Sequence, residues 1–241
     1  MKKAIFIADA HLKSPEEEGY QDIVSFFDSL KEDKELDALF VLGDLFDFFV
    51  GFPKIVFYEH LEVLQRLKEL AESGISVFYF EGNHDFFLKK LNRLGFPVHI
   101  IEGSMDLYLD GRKFFLSHGD RIDKTDYAHH ILSFLVKNPI TNLFSYILPP
   151  YLVYDFAHLF SRFSREKISS KRVFKTSLLS EFAKEYAKIG YGGAVLGHFH
   201  KSMVIEKVEN SIPVYLVGSW KEGREYLLWE NGNFCFKTFG K

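Results

Sequence analysis

Cysteine is nearly absent: Cys235 is the only one among 241 residues. A single thiol cannot close an internal disulfide, which suits a reducing compartment. Long apolar runs are missing too, since none reaches the roughly 18–20 uncharged residues that a membrane-spanning helix needs. Nor does charge of one sign dominate. With 30 Lys and Arg against 33 Asp and Glu the net charge is −3, so no global basic field points to nucleic acid, and any phosphate-binding charge must be local. Residues 1–10 pass from "MKK" straight into a strand-like stretch without a small-residue cleavage site, so no signal peptide is expected. Internal repeats and low-complexity segments are also lacking. The expectation is a cytoplasmic protein, with peripheral contact at a membrane left open.

What is present is an alternation of short apolar runs and helical spacing. "KKAIFIAD" (2–9), "DALFVLGD" (37–44) and "ISVFYFEGN" (75–83) read as buried strands, with helices over 20–35 and 55–73 between them. This βαβαβ start predicts an α/β fold with a mostly parallel sheet covered on both faces. From residue 97 onward strands follow one another through turns such as Asp110-Gly111. Strands return after residue 193, with Asn231-Gly232 as a hairpin signal. Residues 121–190 fit neither pattern. They read as a helical insertion cap between two parts of one core, 1–120 and 191–241.

Each apolar run ends in a polar cluster: "ADAH" (8–11), "GDLFD" (43–47), "GNHD" (82–85), "SHGD" (117–120) and "GHFH" (197–200). Side chains just past the carboxyl ends of strands converge on one crevice in open α/β sheets. In "DAH" and "HFH" the spacing of two places both side chains on one face if the segment is extended. The donors are two carboxylates (Asp9, Asp44), one amide (Asn83) and four imidazoles (His11, His118, His198, His200). Seven donors are too many for one metal and suit two if a carboxylate bridges, for which Asp44 is the natural choice. Taken singly, Asp9 could cap a helix, Asn83 could hold a turn and His118 could be a core histidine. Five clusters at five strand ends argue against coincidence.

In this order the motifs resemble the calcineurin-like metallophosphoesterases. The resemblance implies a four-layer α/β/β/α sandwich, one metal on Asp9, His11, Asp44 and His200, and a second on Asp44, Asn83, His118 and His198. The mixed N/O set suits two divalent ions, Mn²⁺ in first place, with Fe and Zn open. Two cations about 3.5–4 Å apart would activate a water and clamp a phosphoryl group for in-line displacement. The resemblance makes His84 the catalytic group that stabilises or protonates the leaving oxygen. The alternative is that His84 only hydrogen-bonds Asp47 or Asp85.

Substrate identity must come from the insertion and the rims. Within 161–175 six residues are basic and only Glu166 is acidic, which suits a clamp for a second phosphate or an ordinary solvated face. The run 131–160 is rich in Leu, Phe, Tyr and Ile, as a mini-core, an acyl-chain groove or a lipid-facing surface would be. Phe46, Phe48, Phe49 and Phe52 follow a ligand directly, so pocket lining for uracil or acyl chains is open to them. With these features the chain resembles the branch of UDP-2,3-diacylglucosamine pyrophosphatases of lipid A synthesis. That resemblance implies a UDP-linked diacylated glucosamine as substrate, UMP and the sugar 1-phosphate as products, and contact with the inner membrane. It also implies substrate contacts at Asn83, Asp126, Ser164, Lys167, Lys171 and His198. The branch carries Arg where this chain has His84, and an acidic pair where it has "GFPK" (51–54). Two rivals are a phosphodiesterase of nucleotides or nucleic acid and a non-catalytic scaffold. Nucleic acid is disfavoured by charge, and a scaffold would be expected to have lost ligands.

Overall fold

The structure, a computed structural model, describes residues 1–52, 56–122 and 176–240. In chain order the described elements are β1 (Lys3–Ile7), α1 (Glu18–Lys31), β2 (Ala38–Val41), β3 (Phe49–Val50), α2 (Tyr58–Glu72), β4 (Ser76–Phe80) and β5 (Asp85–Phe86). A 3₁₀ turn (Leu88–Leu94), β6 (His99–Ile101), β7 (Ser104–Leu109) and β8 (Arg112–Ser117) follow. The last part holds α3 (Thr176–Lys188), β9 (Gly193–Leu196), β10 (Met203–Ile205), β11 (Val214–Leu216), α4 (Trp220–Gly223), β12 (Glu225–Glu230) and β13 (Asn233–Thr238).

Two mixed sheets form the centre. The first runs β13-β12-β1-β2-β4-β6; β1, β2, β4 and β6 are parallel, while β12 and β13 join antiparallel. The second runs β10-β11-β9-β8-β7, with β8, β9 and β11 parallel and the two edges antiparallel. The strand-to-strand alternation of side chains assigns the layers. Ile5, Ile7, Leu39, Val41, Val77 and Tyr79 pack against α1 and α2, whereas Ala4, Phe6, Ala38 and Phe40 face Phe114, Leu116 and Val195 of the second sheet. Both faces of β1 and β2 are thus apolar, which is why their runs read as continuous rather than alternating.

α1 meets the sheet through Tyr20, Ile23, Val24, Phe27 and Leu30, spaced for one helical face. On the far side Leu179, Phe182 and Ala183 of α3 cover Ala194, Leu196, Val214 and Leu216. The result is the expected α/β/β/α sandwich. The helical cap expected over 121–190 lies for the most part outside the described residues, and its last stretch is α3, packed on the second sheet. Both hairpin signals form as read. Asp110-Gly111 and Asn231-Gly232 have positive φ at both positions, 47° and 74°, then 53° and 80°, as a two-residue turn between twisted strands requires. Among the described residues no helix is long and apolar enough to cross a membrane.

Between the sheets Phe6, Phe40 and Phe78 stack across three adjacent strands, with ring centroids 4.7 and 4.8 Å apart. Phe40 is fully buried. Replacing it with alanine is expected to destabilise the fold by about 3–5 kcal/mol in urea unfolding, whereas Tyr108→Ala, at a side chain 64 % exposed on β7, should change stability by no more than about 0.5 kcal/mol.

Candidate metal centre

The parallel strands β1, β2 and β4 end together, so the segments that leave them, 8–11, 43–47 and 82–85, share one edge of the first sheet. β8 and β9 also end in register, Ser117 opposite Leu196, and deliver 118–120 and 197–200 from the second sheet. The two sheets are joined at this edge. His118 Nδ1 donates to the carbonyl of Leu42 at 2.8 Å, and the His198 N–H donates to Asp9 Oδ2 at 2.7 Å. A side chain at Gly197 would stand 2.9 Å from Ala8 Cβ and 3.0 Å from the Leu42 carbonyl oxygen, so glycine permits this approach.

The backbone departs from the extended geometry expected for "DAH" and "HFH". Asp9, His11, Asp44, His198 and His200 have φ of 53°, 45°, 52°, 68° and 54°. They are five of the ten non-glycine residues with positive φ among those described. Such conformations cost of order 1–3 kcal/mol each and persist where surroundings over-determine them. Here the N–H groups of Asp9, His11 and Leu12 bond the carbonyls of Gly43, Asp44 and Leu45, and Asp47 N–H bonds the Leu12 carbonyl. Asp9, His11 and Asp44 converge because two strained loops are laced together, rather than because a strand alternates.

Three groups of ligand atoms result, each within 4.8 Å: Asp9, His11 and His200; Asp44, His118 and His198; and His11, Asp44 and His84. Asp44 stands in two of them, between the others. Its carboxylate is 3.4 Å from His118 Nε2 and accepts the His84 N–H at 2.8 Å. Asn83 joins the second group, with its Oδ1 3.1 Å from His118 Nε2. All seven expected ligands and His84 therefore meet. Asp9, Asp44 and His118 are buried; Asn83, His84, His198 and His200 are half-buried.

Burial alone would raise the Asp44 carboxyl, but the imidazoles of His118, His84 and His11 hold it well below the usual carboxylate range. Burial opposes charge on His118, yet Asp44, Asp9 and Asp120 carry it up to about 10. At His11 burial prevails over Asp44 and Asp9 and lowers the ring to about 4. Burial works against protonation of His200 as well, and the carboxylates of Asp9 and Glu222 raise it nonetheless.

These residues fit divalent cations. Asp9 Oδ1 is buried and makes no hydrogen bond, lying 3.4 Å from His200 Nε2 and 3.9 Å from His11 Nε2. Ring nitrogens face one another, His11 Nε2 and His200 Nε2 at 3.3 Å and His118 Nε2 and His198 Nδ1 at 3.2 Å. Such pairs present several lone pairs to one point, which is what a cation takes. Because a carbonyl can only accept, His118 Nδ1 carries a proton for Leu42, and Nε2 is left to ligate. His200 Nδ1 lies 3.5 Å from Glu222 Oε1, a carboxylate on α4 that no sequence signal singled out.

His84 Nδ1 donates to the Asp47 backbone carbonyl at 2.7 Å, so the hydrogen bond to Asp47 weighed as an alternative exists, through the main chain. It leaves Nε2 for the cleft. Phe46, Phe48, Phe49 and Phe52, left open as pocket lining, are all buried. Phe46 and Phe49 pack in the helix-side core, and Phe48 and Phe52 pack with Val50 and Phe86 beneath β3 and β5. Asp126, Ser164, Lys167 and Lys171 lie outside the described residues.

The Metallophos profile, described as calcineurin-like phosphoesterase, matches residues 2–202. Among curated relatives, a protein of Psychromonas ingrahamii named UDP-2,3-diacylglucosamine hydrolase is 27% identical over 93% of this chain and 92% of its own length. One of Salmonella arizonae with the same name is 29% identical over 90% of each chain. A solved structure described as a novel archaeal phosphodiesterase superposes with a TM-score of 0.51 at 14% identity, covering 98% of each chain, a likeness of fold. Calcineurin-like phosphoesterases use a dinuclear metal site, and the groups around Asp44 are the candidate ligands here. Strand-end clusters, sandwich and family profile agree: the chain belongs to the calcineurin-like phosphoesterases and is a metal-dependent hydrolase.

Proposed function

We propose that this hydrolase cleaves the pyrophosphate of UDP-2,3-diacylglucosamine to UMP and 2,3-diacylglucosamine 1-phosphate. The observation that carries the reading is the match along nine-tenths of the chain to two relatives so named, together with a site in which none of the expected ligands is missing. One cation would rest on Asp9, His11, Asp44 and His200, and the second on Asp44, Asn83, His118 and His198. When bound, the pair supplies a nucleophilic water at neutral pH and positive charge for the phosphoryl oxygens.

The chain's own residues do the rest. Asp44 offers a carboxylate to both positions, and the Leu42 carbonyl sets the tautomer of His118. His84, fixed by its Nδ1 proton on the Asp47 carbonyl, aims Nε2 at the cleft beside His11, the ring centroids 4.9 Å apart. From Nε2 it stabilises or protonates the leaving oxygen as charge develops there. Asp126, Ser164, Lys167 and Lys171 bind the substrate's polar parts, and the apolar run 131–160 accommodates its acyl chains.

Protein loaded with Mn²⁺ is expected to release UMP from UDP-2,3-diacylglucosamine with a far higher kcat/KM than it shows for bis(p-nitrophenyl) phosphate. Turnover of the simple diester alone would retain the phosphoesterase and remove the lipid substrate. His84→Ala should lower kcat about 10²–10⁴-fold with little change in bound metal, measured by elemental analysis beside steady-state kinetics. Loss of metal in that variant would instead make His84 a ligand.

A further inference from the structure

One buried carboxylate at this edge is not among the expected ligands. Asp85, at the start of β5, is fully buried. Its Oδ1 accepts the backbone N–H groups of Asp44 at 3.0 Å and Gly82 at 2.7 Å; its Oδ2 accepts the Leu45 N–H at 2.8 Å and the Tyr79 hydroxyl at 2.7 Å. Four donors occupy the lone pairs that a metal would need. Three of those donors belong to the loops that present Asp44 and Asn83. The fourth comes from β4, where Tyr79 has no exposure and its ring sits in the helix-side core.

The geometry has a consequence for Asp44, whose φ of 52° is a conformation held by surroundings. Two consecutive amides, those of Asp44 and Leu45, are bound by the two oxygens of one carboxylate, so the peptide between them cannot rotate without breaking a buried, charge-assisted hydrogen bond. Gly82 completes the clamp. A Cβ at Gly82 would fall 2.1 Å from Asp44 Oδ1, so the loop before Asn83 lies directly against the carboxylate of Asp44. Asp85 therefore sets the register between two ligand loops. Tyr79 anchors Asp85 to the rigid strand behind them.

We propose that Tyr79 and Asp85 are positioning residues: the buried phenol fixes a carboxylate whose hydrogen bonds lock Asp44 and the Asn83 loop in the arrangement that serves two metal positions. This rests on the reading of Asp44 as a ligand shared by both cations. Replacing Asp85 with asparagine keeps its shape but turns an NH₂ toward at least one of the four donors. Tyr79→Phe removes one oxygen and nothing else.

The test uses the full chain with Co²⁺ as the probe, following binding isotherms, the visible absorption of the cobalt protein, thermal melting, and kcat and KM for bis(p-nitrophenyl) phosphate. Asp85→Asn is expected to weaken Co²⁺ binding about 10–100-fold, to change the cobalt spectrum, and to lower kcat with KM nearly unchanged. Tyr79→Phe should shift all three in the same direction by a smaller factor while melting close to wild type. If Asp85→Asn fails to fold, Tyr79→Phe decides alone. Folded variants with wild-type cobalt affinity and spectrum would overturn the inference while leaving the metal centre in place. Wild-type binding unchanged by Asp44→Ala would overturn the shared-ligand reading, and the inference with it.

Discussion

A carboxylate as deeply buried as that of Asp44, 1 % exposed, is costly unless cations or hydrogen-bond donors surround it. The rest of the site is organised around that constraint. His118 comes from the second sheet, His11 from the loop after β1 and His84 from the loop after β4, and their rings hold the Asp44 carboxyl ionised. The two sheets are thus joined at their shared edge by electrostatics as well as by the aromatic layer behind it. Phosphoryl transfer gains most from charge fixed in place before the substrate arrives, and a buried, shared carboxylate is a means of fixing it.

Backbone conformation is the second half of the same device. Five of the candidate ligands sit at positive φ; hydrogen bonds between the 9–12 and 44–47 loops hold Asp9, His11 and Asp44, and the His198 N–H is held by Asp9 Oδ2. Half of the ten non-glycine residues at positive φ among those described present candidate ligands, which is consistent with a preorganised site. The helices and sheets beneath are regular, with apolar faces that account for their own stability. The strained positions are thus built on regular elements with cores of their own.

Much of this was legible in the amino-acid order. The β-runs, α1, α2 and both two-residue hairpin turns formed where apolar periodicity and Asn-Gly or Asp-Gly pairs placed them, because those signals are local. The meeting of Asp9, Asp44, Asn83, His118, His198 and His200 followed from clusters closing parallel strands. What remained illegible depends on tertiary geometry. The left-handed backbone at Asp9 and His11 has no glycine to announce it. Tyr79 reads as one more apolar strand residue, and the carboxylate of Glu222 near His200 comes from a short helix 22 positions farther along the chain. The placement of Phe46 and its neighbours stayed open in the sequence for a related reason: proximity in sequence to a ligand says nothing about which side of a loop a ring occupies.

The proposed site places two cations in these loops with Asp44 between them. The most direct measurement is anomalous diffraction from crystals grown with Mn²⁺. Two anomalous peaks are expected, one contacting Asp9, His11 and His200, the other Asn83, His118 and His198, with Asp44 contacting both. A single peak, or two peaks of which only one touches Asp44, would contradict it.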